Sequence, residues 1–244
     1  MLAPKLKTNS LIDDLTPSLK AGKLLLSDLE KQKLLREARA IPERYQGLAI
    51  EGLIQFLDGK NRLGTEALDL SLEICPSDGV TWANYYAILT DKALYTQLES
   101  LLERAHRASI SRMYRHSFEF GAFWGDMEMM KKSYSLFEKY DNDTSDLEDV
   151  IATFDNFKNI DEEFYSDIKN AARIIRDIAE HHGLPCQCSH IECDDFGEMS
   201  FSCEIKVDDA SFLTKLNTEV IEEMVSRGYE TGRCVAYFES YGDD

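Results

Sequence analysis

The stretch YQGLAIEGLIQFLDGKNRLGTEALDLSLEICPSD, Tyr45–Asp78, decides the fold class of this chain. Apolar residues recur at helical spacing on both sides of Asp58-Gly59, and Pro76 closes the second segment because proline cannot continue a helix. Small residues alternate with large ones in an order that lets two helix backbones approach closely. These positions are Leu48, Gly52, Gly64, Leu68 and Ser71. The stretch therefore predicts an antiparallel helix hairpin.

Helical patterning of this kind extends from Leu11 to about Tyr140, interrupted by short breakers. The breakers are Ile41-Pro42, Asp58-Gly59, Cys75-Pro76-Ser77-Asp78-Gly79 and Gly125-Asp126. The order of large and small residues in Tyr45–Asp78, closed by its proline, resembles the tetratricopeptide repeat. Gly79–Arg112 and a stretch from about Tyr114 follow the pattern with more departures, so the resemblance covers about 44–145. A generic helical bundle is the alternative interpretation.

The resemblance implies a concave groove, lined by the first helices of successive repeats, that receives a peptide or a helix. Carried over by position, it predicts two sets of partner-binding residues. They are Asn84, Ala87 and Asp91 in the second repeat, and Arg115, Glu119 and Ala122 in the third. The first repeat presents an apolar strip of Ile50, Leu53 and Phe56, suited to hydrophobic anchors or to covering by the N-terminal helices. In the alternative, the chain's own helices at 11–40 or 145–182 fill the groove.

Past Asp161 the pattern changes to helix, strand, strand, helix, strand. Residues from Met199 to Val207 alternate between apolar and polar, Asp208-Asp209 caps a further helix, and the last strand is predicted at Arg233–Tyr241. We therefore predict a mainly α protein with a small α+β C-terminal module. Its parts are a helical-hairpin array with N-terminal capping helices at 1–158 and the module at 159–244.

Charge divides the chain unevenly. The net charge is −18, yet residues 1–140 carry 19 acidic and 19 basic side chains, whereas residues 141–244 carry 26 acidic and 8 basic. An acidic surface repels phosphate backbones, so direct nucleic-acid binding is not expected, and a basic protein partner fits better. A surface kept acidic for solubility is the alternative. The absence of a signal-peptide pattern or a long apolar run predicts a cytoplasmic protein without membrane contact.

The segment HHGLPCQCSHIEC, His181–Cys193, concentrates histidines and cysteines. Its start has the chemistry of a helix end, with Gly183 as the left-handed cap. As a strand, its remainder would place Cys186, Cys188 and His190 on one face, where Cys203 or a nearby histidine could complete a zinc site. Core packing of the thiols is the favoured alternative, because Cys203 and Cys234 alternate with apolar neighbours. No metal or cofactor is therefore predicted.

Motifs of phosphate-binding loops, dinucleotide-binding folds, zinc proteases and serine hydrolases are absent, so we do not expect an enzyme. Asp141–Asp149 resembles the start of a calcium-binding loop but departs from it at Asp146, and we predict instead that Ser145, with Glu148 three residues on, caps a helix through about Lys158. The tail Glu204–Glu239 is similar to acidic ribonuclease-regulator domains.

We predict a non-catalytic protein-binding protein, either an adaptor or an acidic inhibitor of the immunity type. The alternative is a zinc protein or enzyme that uses the cluster at 181–203.

Overall fold

The fold is given by a computed structural model that describes residues 7–140, 147–157, 162–193, 199–229 and 234–241. The chain forms two compact units, Met1–Asp91 and Lys92–Asp244. This division lies inside the predicted helical array, whereas the boundary predicted from the change of helix and strand pattern lay at 158/159. Each unit holds one of the two tryptophans, Trp82 and Trp124, both buried. Tryptophan fluorescence can therefore follow each unit separately when the other tryptophan is replaced.

The first unit is built from five helices among its described residues. They are α1 (Lys7–Lys20), α2 (Asp28–Arg39), α3 (Arg44–Leu57), α4 (Asn61–Ile74) and α5 (Gly79–Asp91). The predicted hairpin of α3 with α4 is confirmed, and the predicted breakers separate the helices. A Cβ atom at Gly52 would lie 2.6 Å from Cγ of Leu68, and one at Gly64 would lie 2.4 Å from the ring of Phe56. Glycine at these two positions is what allows the close contact.

The apolar strip predicted on the first repeat belongs to the core. Ile50, Leu53 and Phe56 are all buried, and both α1 and α2 pack against α3. Of the two roles predicted for this strip, covering within the chain is the one observed. The strip is therefore covered within the chain and is not offered to a partner, and Phe56 lies against Gly64 of α4 and Tyr85 of α5.

The second unit begins with helical hairpins and ends in the α+β module. Its elements are α6 (Tyr95–Arg107), a 3₁₀ turn (Ser111–Met113), α7 (Tyr114–Phe123), α8 (Met127–Tyr140), α9 (Glu148–Phe157), α10 (Glu162–His182), β1 (Cys186–Cys193), β2 (Met199–Ile205), α11 (Ala210–Ser226) and β3 (Cys234–Ser240). The predicted order of the module is confirmed, as is the helix end at Gly183, whose φ is +63°. Ser145 and most of the calcium-like stretch lie outside the described residues.

Adjacent helices pack as pairs in both units, an arrangement compatible with a helical repeat. In the second unit, α7 and α8 meet at Gly121, where a Cβ atom would lie 2.9 Å from Cγ of Met130. Phe118 stacks on Phe137 at 6.2 Å and meets Phe154 of α9 edge-on at 5.6 Å. The described helices include none long and apolar enough to cross a lipid bilayer.

The sheet has the order β1-β2-β3, with β1 antiparallel and β3 parallel to β2. Helix α11 connects the two parallel strands, because parallel neighbours need a crossover. Helices α10 and α11 pack against β3, and α10 also packs against β2. Trp124 stacks on Phe201 of β2 at 6.2 Å. These contacts give the sheet one buried face.

Asn217 of α11 binds the backbone of the edge strand β3. Its Oδ1 accepts from the Phe238 amide at 2.7 Å, and its Nδ2 donates to the Phe238 carbonyl at 3.0 Å. Asn217→Leu leaves both backbone groups without this partner, so we expect the free energy of unfolding to fall by about 1–3 kcal/mol. The measurement is urea unfolding followed by Trp124 fluorescence in a Trp82→Phe background. The exposed Thr218→Leu is the control; an equal loss in both variants would contradict the assignment.

Candidate functional site

The three strands present two chemically different faces. Apolar residues of β2 and β3 are buried beneath the helices: Met199, Phe201, Cys203, Ile205, Ala236 and Phe238. Alternate residues point to the other face, because successive strand side chains alternate. The outer face, as defined here, consists of nine residues in three registered rows: Cys188-Glu204-Glu239, His190-Ser202-Tyr237 and Glu192-Ser200-Val235. Its rim is exposed, with Val235 at 52% and the His190 side chain at 45%.

A β-bulge separates the cysteines of β1. Cys186 pairs with Ile205 and Cys188 with the adjacent Glu204, so Gln187 is an extra residue on β1. The prediction that Cys186, Cys188 and His190 share one face was therefore wrong for Cys186. The period of two on which it rested does not hold across a bulge. Cys186 lies on the buried face and Cys188 on the outer face.

Tyr95 of α6 holds the bulge in place. Its hydroxyl accepts from the Cys186 amide at 2.7 Å and donates to the Leu184 carbonyl at 3.3 Å. Burial, together with the nearby Cys186 thiol, raises the pKa of Tyr95, so the phenol stays protonated and can donate. Sequence analysis missed this residue, because it precedes β1 by 91 positions.

On the buried face, the Cys186 thiol donates to the Leu184 carbonyl at 3.9 Å and the Cys203 thiol to the Glu204 carbonyl at 4.0 Å. Interaction with the Cys203 thiol lowers the pKa of Cys186, whereas interaction with the Cys186 thiol, together with burial, raises the pKa of Cys203. Burial raises the pKa of Cys234 to about 12. The prediction that Cys203 and Cys234 pack as core is confirmed, since both are buried. The four residues named for a zinc site, Cys186, Cys188, His190 and Cys203, are therefore divided between two faces.

On the outer face, Cys188, His190 and Glu204 bring three metal-ligating atoms together. One ligand atom of each lies within 4.8 Å of the other two, and His190 Nε2 is 3.1 Å from Glu204 Oε1. Cys188 is exposed; partial burial and the Glu204 carboxylate raise the pKa of its thiol. Within the part of the chain that the structure describes, this is the one group of three such atoms found at that spacing.

The outer face is acidic in two of its three rows. Glu192, Glu204 and Glu239 supply three carboxylates, and none of the nine positions is Lys or Arg. Tyr237 lies in the middle row, and partial burial together with Glu239 raises the pKa of its phenol. A partly exposed tyrosine among carboxylates combines an apolar ring with hydrogen-bonding groups, which is a composition suited to protein recognition.

The residues predicted to line a groove lie in two different units. Asn84, Ala87 and Asp91 are on α5, where Asn84 is partly buried and the other two are exposed. Arg115 and Glu119 are on α7, with Arg115 Nε donating to Glu119 Oε1 at 3.0 Å, and Ala122 is buried. Burial acts to raise the pKa of Glu119, but hydrogen bonds from His116 and Arg115 outweigh it, so this pKa is lowered. Binding through these positions stays a prediction.

A small depression lined mainly by charged residues lies beside α10, and sequence analysis missed it too. It is lined by Glu99, Phe120, Trp124, Asp126, Lys169, Arg173 and Arg176. Arg176 pairs with Glu99 at 2.9 Å and Lys169 with Asp126 at 2.8 Å. The sequence signal for this depression was the spacing of Lys169, Arg173 and Arg176. It places three of the eight basic residues of the acidic half, residues 141–244, on one face of α10.

Comparison of the chain with protein-family models, curated proteins and solved structures gave no match. The packing of α3 on α4 is compatible with a helical repeat, and no family model assigns the kind of repeat. Function is then inferred from the chemistry of the described side chains, above all of those on the outer face.

Proposed function

We propose that this protein is a non-catalytic protein-binding protein of the acidic inhibitor type, whose outer face covers a basic surface of another protein. The observation that carries the proposal is the sign of that face: it has three carboxylates, Tyr237 lies in its middle row, and none of its nine positions is Lys or Arg. Opposite charge across an interface favours the correct partner and excludes acidic ones. Helices α10 and α11, which pack against the opposite side of the sheet, support this face.

The charge of the whole acidic half supports the same proposal. Residues 141–244 carry 26 acidic and 8 basic side chains, so their field attracts a basic protein over more than contact distance. Attraction of this kind raises the association rate and weakens with salt, because the Debye length is about 8 Å at physiological ionic strength. A basic active site is the kind of surface that such a protein would cover.

A second surface favours the adaptor version of the proposal. Leu63, Leu70 and Ile74 of α4 are between 40% and 49% exposed, and their spacing places them on one side of the helix. We infer that the hairpins are tetratricopeptide-like and that a partner helix or peptide binds the helical array. Asn84 would hydrogen-bond the partner's backbone and Arg115 would bind a carboxylate.

The test of the inhibitor proposal is reversal of charge on the outer face. Glu192→Lys with Glu239→Lys is expected to cost about 2 kcal/mol of binding free energy, roughly a thirtyfold loss of affinity. Cys188, His190 and Glu204, the residues with the three grouped metal-ligating atoms, are left unchanged. A protein captured by the wild-type chain would be purified, and its dissociation constant measured by calorimetry at two salt concentrations.

The matched control is Glu73→Lys with Glu103→Lys, which makes the same charge change at exposed positions outside the sheet. Retained affinity in this control and weakened affinity in the outer-face variant support the proposal. Leu70→Ser with Ile74→Ser is the third arm: loss in that arm alone would replace the inhibitor version by the adaptor version. Equal affinity in all arms would overturn both.

A further inference from the structure

We propose that Cys188, His190 and Glu204 form a zinc-binding site on the outer face of the sheet, with three protein ligands and a fourth position open to water. The inference goes beyond protein binding, because it assigns a metal ligand to Glu204 and to two side chains, Cys188 and His190, that the charge argument does not use. It rests on three ligand atoms that lie within 4.8 Å of one another. Thiolate, imidazole and carboxylate are the ligand types of protein zinc sites.

The distances require only a small adjustment. Zinc lies about 2.0–2.3 Å from sulfur, nitrogen and oxygen ligands, so neighbouring ligand atoms of a tetrahedral site are about 3.5 Å apart. The present spread of up to 4.8 Å closes by about 1 Å through side-chain rotation. Cys188 and His190 lie at the exposed rim and are free to make that rotation. Contraction around the ion is therefore compatible with an unchanged backbone.

The backbone fixes which three residues meet. Cys188 is directly opposite Glu204 in the antiparallel pair, and His190 follows two positions along on the same face. Their side chains are cross-strand and diagonal neighbours, which lie within reach of one another. The bulge at Gln187 places Cys186 on the opposite face from Cys188, whereas in a regular strand the two thiols would share one face. Ligands on paired strands are held more rigidly than ligands on loops.

The ligand types select the metal. Calcium and magnesium prefer sites made entirely of oxygen ligands, whereas a thiolate and an imidazole favour zinc and its close analogue cobalt. The buried pair Cys186 and Cys203 lies on the other face and cannot complete this site. In the absence of metal, His190 Nε2 and Glu204 Oε1 bond each other at 3.1 Å; zinc would take the place of that hydrogen bond.

Cobalt titration of the purified, reduced full chain tests the site. We expect one equivalent of Co²⁺ to produce a near-ultraviolet thiolate-to-cobalt charge-transfer band, and one equivalent of Zn²⁺ to displace it. Cys188→Ser should abolish the band. His190→Ala and Glu204→Gln should each weaken cobalt binding by at least about tenfold, since even the outer-shell partners of metal ligands contribute that much.

Cys186→Ser is the matched control, because it removes a thiol of the same strand from the opposite face. It should keep the band, and circular dichroism should show all variants folded. Absence of a band in the wild-type chain at one equivalent would overturn the proposal. So would a band that survives in Cys188→Ser and disappears in Cys186→Ser. The titration involves no protein partner, so its failure leaves the charge-reversal experiment unaffected.

Discussion

Replacing Gly47 by alanine is expected to lower the free energy of unfolding of the first unit by about 2 kcal/mol. A Cβ atom at this position would lie 2.4 Å from the carbonyl oxygen of Ala38, in the backbone of α2. A backbone oxygen cannot rotate away, so α2 and α3 must separate. Ala38 is fully buried, and separation would loosen the packing around it. Helix propensity acts the other way, because alanine is favoured over glycine by about 1 kcal/mol in a helix interior.

The measurement is urea unfolding followed by Trp82 fluorescence in a Trp124→Phe background. Lys33→Ala, at an exposed position on α2, is the control and should change the unfolding free energy by less than about 0.5 kcal/mol. Stabilisation of the Gly47→Ala protein by about 1 kcal/mol would mean that propensity alone operates. In that case α2 and α3 do not approach as closely as the structure has them.

The elements that could be predicted are those marked by local chemistry. The α3–α4 hairpin follows from Gly52, Gly64 and Pro76, and the end of α10 follows from Gly183. Strict alternation from Met199 onward identified β2. In each case the residues that fix the backbone lie within the element itself or next to it, so a pattern along the sequence is sufficient.

The bulge in β1 could not be predicted in this way. Nothing in Cys186–Cys193 distinguishes a regular strand from one with an extra residue, and Tyr95, which binds the bulged backbone, is 91 positions away. One inserted residue moves every earlier side chain of the strand to the opposite face of the sheet. Cys186 was therefore grouped with Cys188 and His190, which lie on the other face. Glu204 was missed as a candidate ligand for the same reason: its place beside Cys188 depends on the register.

The boundary between compact units shows a similar limit. Charge changes near residue 141, but the compact division falls at 91/92, so the balanced α6–α8 region belongs with the acidic module. Surface charge is related to the solvent and the binding partners of a region, whereas the division into compact units depends on which apolar side chains pack together. Trp124 stacked on Phe201 is one such contact, and it joins a helical hairpin to the sheet.

Glu99→Gln is expected to lower the free energy of unfolding of the second unit by about 3 kcal/mol, the lower end of the range for a broken buried ion pair. Arg176 Nη2 lies 2.9 Å from Glu99 Oε2, and the arginine side chain is only 9% exposed. Among the described residues its Nε has no hydrogen-bond partner. Neutralising Glu99 therefore leaves a buried cation that is already short of partners. Urea unfolding followed by Trp124 fluorescence in a Trp82→Phe background provides the measurement.

Removing the cation as well should restore most of that loss. In the double variant Glu99→Gln with Arg176→Met, no buried charge remains uncompensated, and the methionine fills part of the volume with apolar atoms. Glu103→Gln, one turn further along α6 and exposed, is the matched control and should change stability by less than about 0.5 kcal/mol. Arg176→Met alone is measured as well. If the losses of unfolding free energy in Glu99→Gln and in Arg176→Met simply add in the double variant, the Glu99 carboxylate does not compensate the buried charge of Arg176. The packing around the depression beside α10 would then be stabilised by the aromatic residues Phe120 and Trp124 instead.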